Sequence, residues 1–95
     1  MDDLEIRKLC ASAMRIYHWG EHDIHTEDGH GYNPLHDDAQ MAALVKKFRL
    51  SILYSRTQWL VSPLTEQAEI HADLNRAVCL CVAKIERAKR EGAGK

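Results

Sequence analysis

Five of the six histidines fall between positions 18 and 36: His18, His22, His25, His30 and His36. Glu21, Asp23, Glu27, Asp28, Asp37 and Asp38 lie among them. Imidazole and carboxylate suit zinc, nickel or iron, so His18, His22, His25 and His30 form the candidate metal set. Their spacing does not favour it. His18 and His22 share a face only on a helix, and Gly20 stands between them. No Cys-x2-Cys or His-Glu-x-x-His motif accompanies them. A solvated polar loop explains the same residues. The cluster could also sense pH near 6, where an ordinary imidazole titrates, which is a weaker reading.

Adjacent carboxylates at Asp37 and Asp38 could serve acid–base work or hold magnesium. Both stand at a predicted helix start, where capping and the helix dipole already account for them. Cys79 and Cys81 are two apart on a predicted helix, so their side chains diverge by about 200° and share no ligand. Cys81 and Cys10 belong to apolar stripes, which makes them inert buried thiols. Lys84, Arg87, Lys89 and Arg90 lie along the last predicted helix and could meet nucleic-acid phosphates. Interspersed acids and a pI near 6.6 argue against a dedicated binder of that kind. No catalytic constellation emerges, and a non-enzyme without a cofactor is expected.

These residues need elements to hold them. Ninety-five residues suit one domain over 1–95, with room for a single core. Residues 1–45 carry nine acids against three bases, and 46–95 carry ten bases against five acids. The halves therefore attract each other when the chain folds back, though such asymmetry can also mark a binding surface. An odd count of three cysteines argues against a disulfide framework. The acidic N-terminus lacks an apolar signal region, and no run nears the ~20 apolar residues of a membrane span. A cytoplasmic setting in a host cell, away from membranes, is expected.

Apolar spacing predicts helices over about 3–17, 38–48 and 73–91. Gly20 is the expected stop of the first. Asp37-Asp38-Ala39-Gln40 reads as a capping box for the second, with Gln40 reaching back towards the cap. Asp73 is the expected cap of the third, and Gly92 its end. Residues 50–54 and 58–62 alternate as a hairpin, with Leu53 and Leu60 on the face opposite Ile52 and Val61. A hairpin alone is marginal in water, so it needs helices against it or a third strand, which the stretch 64–70 does not reveal. An uncovered hairpin edge could pair across a homodimer. Residues 18–35 read as a long polar loop, and 92–95 as a fraying tail. The expected fold is α+β, a small antiparallel sheet sandwiched by three helices.

The order of parts also resembles a known family. An acid-capped helix leads to Tyr32-Asn33-Pro34-Leu35-His36-Asp37-Asp38-Ala39. A helix, Leu50–Tyr54, a strand with Trp59 and a helix opening Asp73-Leu74-Asn75-Arg76-Ala77-Val78 follow. This is similar to the phage ABA sandwich family, small proteins of tailed phages and prophages. The resemblance rests most on Asn33–Asp38. It implies a small antiparallel sheet with helices on both faces, and no particular activity.

The functional expectation is a protein that binds a host or phage protein, with inhibition of a bacterial defence complex fitting its size. Aromatics beside Gly-rich loops are frequent hot spots. The expected contact surface is therefore Trp19, Glu21, Asp23, Glu27, Asp28 and Tyr32, and tucking of Trp19 and Tyr32 under the loop is the alternative that the sequence does not separate from it. Nucleic-acid binding through Lys84, Arg87, Lys89 and Arg90 and metal binding in the His-rich loop are the alternatives.

Overall fold

The computed structural model describes residues 2–16, 18–19, 24–25, 31–63 and 68–93. In chain order the elements are α1 (Asp3–Ala13), β1 (His18–Trp19), β2 (Ile24–His25), α2 (Asp38–Phe48), β3 (Ser51–Ser55), β4 (Gln58–Ser62), β5 (Glu69–His71) and α3 (Leu74–Ala93). The fold is α+β, with three helices and a three-stranded antiparallel sheet in the order β3-β4-β5.

α1 begins where an acid can cap it: the Asp2 carboxylate accepts from the Glu5 N–H at 2.8 Å. It ends at Ala13, short of the expected 17, and Gly20 is not its stop. Arg15 takes φ 59°. The Ile16 N–H then donates to Ala11 O at 2.8 Å and the Arg15 N–H to Ser12 O at 3.0 Å, which is a Schellman motif with arginine at the left-handed position. Lys47 Nζ donates to the Ala13 carbonyl at 2.6 Å, so a cation from α2 satisfies an orphan acceptor of α1.

α2 keeps its expected bounds. The Asp37 carboxylate accepts from the Gln40 N–H at 3.0 Å. The other half of the expected capping box is different. Gln40 reaches past the cap, accepting from the Asn33 N–H at 2.7 Å and donating to Gly31 O at 3.0 Å. The side chain thereby closes the whole turn over Pro34 rather than one helix end. Arg49, with φ 51°, ends α2 in left-handed geometry.

α3 opens on Asp73, whose carboxylate accepts from the Asn75 N–H at 3.0 Å. It runs through Gly92 to Ala93, beyond the expected end at 91. A glycine stops a helix only by turning left-handed, and Gly92 remains in the helical run. The expected tail is thus shorter by two helical positions, 92 and 93.

α3 is the central element. It packs against α1, α2, β4 and β5, which explains burial on more than the one predicted stripe: Cys79 and Ala83 are buried as well as Ala77, Val78, Cys81 and Val82. α1 and α3 run side by side in the same direction. Arg76 Nη1 meets Asp3 Oδ1 at 2.8 Å at one end, and Ser12 Oγ donates to Glu86 Oε1 at 3.3 Å further along. Ile6, Leu9, Cys10, Ile24, Tyr32, Leu35, Met41, Leu44, Leu50 and Val61 complete one core with α3.

The stretch expected to be loop contains structure. β1 and β2 pair antiparallel, His18 opposite His25 and Trp19 opposite Ile24. Ile24 is wholly buried, and the Tyr32 N–H donates to its carbonyl at 2.7 Å. The third strand, which the sequence leaves open without placing, is β5 (Glu69–His71). It pairs with β4 through Trp59–His71, Leu60–Ile70 and Val61–Glu69.

Candidate interaction surface

Register assigns each sheet residue to a face. Cross-strand partners point the same way and neighbours along a strand point opposite ways. One face therefore carries Ile52, Val61 and Glu69, then Tyr54, Trp59 and His71. α3 covers this face over β4 and β5. Val61 is fully buried beneath it, and Glu69 pairs with Lys84 of α3. Tyr54 lies against Trp59 with ring centroids 4.7 Å apart.

The opposite face carries Leu53, Leu60 and Ile70 as one row across all three strands, flanked by Ser51, Ser62 and Gln58. Leu53 is 62% exposed and Ile70 52% exposed, with Leu60 half-buried. The resemblance implies helices on both faces of the sheet. Here α3 packs on the inner face of β4 and β5, and α1 and α2 pack against α3. Among the described residues no helix lies over the outer row, and Leu53 and Ile70 stand exposed. An uncharged apolar row with a hydroxyl and amide border has the make-up of an interface core and rim.

The residues singled out from sequence are placed differently. Glu21, His22, Asp23, Glu27, Asp28 and His30 lie outside the described residues. Trp19 is a β1 residue, and His18 and His25 are register partners in the β1–β2 pair. Tyr32 is not a surface residue. It is 3% exposed, and its carbonyl accepts from Arg7 Nε at 3.3 Å and Nη2 at 3.2 Å. A residue so enclosed cannot meet a partner, so its place in the expected contact set is corrected. Burial, reinforced by neighbouring Cys10 and Cys79, holds its phenol far above the ordinary value. Its hydroxyl has no hydrogen-bond partner among the described residues.

Asp37 and Asp38 are structural. Asp37 caps α2, and Asp38 Oδ1 accepts from Asn75 Nδ2 at 3.1 Å. The three cysteines are buried thiols. Cys10 Sγ donates to Cys79 O at 3.4 Å. Its bonding with the Cys79 side chain, and then burial, raise the Cys10 thiol far above its usual range. Such a thiol is a poor nucleophile. Among the described residues no group of three His, Cys, Asp or Glu could hold a metal.

On α3, Lys84 pairs with Glu69, Arg87 with Glu91 at 3.5 Å, and Arg90 with Glu86 at 3.8 Å. Arg90 also donates to Ser12 Oγ. Lys89 is exposed. A cleft of about 450 Å³ borders Arg87 and Arg90, but Asp2, Glu5 and Lys8 line it too. Mixed signs there give no field of one sign to gather phosphates.

No family model, curated protein or solved structure matches the chain. Among the described residues no helix is long and apolar enough to cross a membrane.

Proposed function

We propose that the chain is a non-enzymatic binding module that engages another protein through the outer face of its sheet. The observation that supports this most is the apolar row Leu53–Leu60–Ile70, exposed at Leu53 and Ile70. Exposing an aligned apolar row costs solubility, and proteins retain such rows where something docks on them. The similarity of Asn33–Asp38 to the phage ABA sandwich family supports a host or phage protein as the partner. A bacterial defence complex is the partner class we favour.

Recovery of bound protein from a lysogenic or infected host tests the reading. Wild-type chain is compared with the double variant Leu60→Ser/Ile70→Ser, and the recovered protein is then purified and titrated against both. The variant is expected to lose the partner while staying folded, with a thermal midpoint lowered by the loss of the half-buried Leu60 side chain. Equal capture by a folded variant, or no saturable binding by wild type, overturns the reading.

A further inference from the structure

We infer that β3 is a self-pairing edge, and that two copies of this chain join there, strand to strand about a two-fold axis at Leu53. The inference goes beyond the partner reading, because edge pairing leaves the outer face of each sheet open.

Among the described residues β3 is an outer strand of the sheet, since the order is β3-β4-β5. A two-residue turn, Arg56-Thr57, joins it to β4 between the partners Ser55 and Gln58. Arg56 takes φ 60°, the positive φ that the first position of a primed hairpin turn requires. In such a hairpin the closing pair exchanges both hydrogen bonds, and bonded and non-bonded pairs then alternate. Ser55, Leu53 and Ser51 therefore bond towards β4. Ile52 and Tyr54 turn their N–H and C=O groups outward along the free edge.

Natural edges are blunted with lysine, proline or bulges. β3 reads Ser-Ile-Leu-Tyr-Ser, with no charge and no proline, and its pairing with β4 is regular throughout. Ile52, Leu53 and Tyr54 are all exposed, at 37%, 62% and 57%. The other edge contrasts with it. β5 has three residues, and its Glu69 is paired with Lys84.

The composition of β3 also selects a second copy as the occupant. Pairing antiparallel about Leu53 sets Ser51 against Ser55, Ile52 against Tyr54 and Leu53 against its own counterpart. Aromatic–β-branched pairs are favourable cross-strand neighbours. No charge enters the paired strand. Arg49 and Arg56, just outside it, fall opposite Thr57 and Leu50 rather than each other. The parity agrees as well. In this register the outward-bonding residues Ile52 and Tyr54 become the hydrogen-bonded pairs, and Leu53 meets Leu53 at the closer, non-bonded position. The contact is self-complementary, as a two-fold interface must be. Its area is small, roughly 300–400 Å² per copy against about 800 Å² for a standard partner surface. A weak, concentration-dependent dimer follows, with Kd of the order of 10–100 μM.

Sedimentation or light scattering of the full chain from about 1 μM to about 1 mM is the test. Wild type is expected to move from monomer to dimer mass across that range. Leu53→Lys and Leu53→Glu each place like charges at the two-fold, so each alone should remain monomeric. Mixed in equal amounts they should recover dimer mass. Leu53 is largely exposed, and both variants should keep the wild-type thermal midpoint. Amide exchange on wild type reads the same contact without mutation: Ile52 and Tyr54 should gain protection with concentration while Leu53, already bonded to β4, does not. A wild type that stays monomeric, a mixture that fails to pair, or unchanged amides at 52 and 54 overturns the inference. Protection of those amides only when a different protein is added overturns it in favour of strand donation by that partner. The Leu60→Ser/Ile70→Ser variant separates the two readings. It should still dimerise while losing the outer-face partner.

Discussion

Gln40, on the first turn of α2, accepts a hydrogen bond from the Asn33 N–H seven positions earlier, at 2.7 Å. Its amide group simultaneously donates to Gly31 O at 3.0 Å. One side chain thus holds the Asn33 N–H and the Gly31 carbonyl together. Arg7 takes the Tyr32 carbonyl between them. The segment 31–40 is therefore fastened to α1 as well as α2, although its residue types suggest a site.

Gln40→Ala should remove both bonds and cost about 1–2 kcal/mol, since a part-buried N–H is left without its acceptor. Gln40→Glu keeps an acceptor for Asn33 but loses the donor to Gly31, and should cost less. Denaturant melts of the three proteins check the order. Equal stability of Gln40→Ala and wild type would show that the Pro34 turn holds itself.

Asn75 makes the matching bond from α3. Its Nδ2 donates to Pro34 O at 3.0 Å and to Asp38 Oδ1 at 3.1 Å. Asn75→Asp replaces the donor by a carboxylate facing two acceptors, so it should destabilise more than Asn75→Ala, by roughly an additional 1 kcal/mol. Lowering the pH until carboxylates protonate should narrow that difference. A thermal-melt series at pH 7 and below pH 4 reads both effects.

The parts visible in the sequence are those with a local cause. α2 announces itself through Pro34, the Asp37 cap and the spacing of Met41, Leu44, Val45 and Phe48. The β3–β4 hairpin shows in alternation over five residues on each side. What stays hidden depends on tertiary packing or on unusual residues. β5 is too short for alternation, and Ile24 is an isolated apolar residue between polar neighbours. The end of α1 is set by an arginine where glycine is the usual sign. Alternation correctly places Leu53 and Leu60 on one face, but not what covers them. That depends on α3 packing on the inner face of β4 and β5, which no local pattern records. Tyr32 illustrates the same limit, since an aromatic beside glycines fits a hot spot and a core anchor equally.

Arg49 and Arg15 offer a route to greater stability. Both hold left-handed φ, 51° and 59°, where a β-carbon costs about 1 kcal/mol relative to glycine. Arg49 is exposed at the end of α2. Arg49→Gly should stabilise by about 0.5–1 kcal/mol, net of the entropy glycine loses on folding. A rise of a few degrees in thermal midpoint is the expected readout. Arg49→Val, β-branched at the same φ, should move it the other way.

Cys10 and Tyr32 make stability depend on alkaline pH. Both protons are held more tightly folded than unfolded: Cys10 through its Cys79 bond and burial, Tyr32 through burial and the two thiols. An acid whose folded value is raised contributes its full stability below the unfolded value, and that contribution is lost as pH rises above it. The loss should begin near pH 9.0, the ordinary thiol value, and steepen near 10.0, the ordinary phenol value. Each group should contribute a slope of about 1.4 kcal/mol per pH unit. Variants isolate the effect. Tyr32→Phe should remove the steepening above pH 10. At neutral pH it should be no less stable than wild type, because the hydroxyl it deletes lacks a partner among the described residues. Cys10→Ala should abolish the onset near pH 9.0. Urea midpoints at pH 8, 9.5 and 10.5 decide the matter, and parallel curves for wild type and Tyr32→Phe would mean that the phenol titrates from an open, hydrated position.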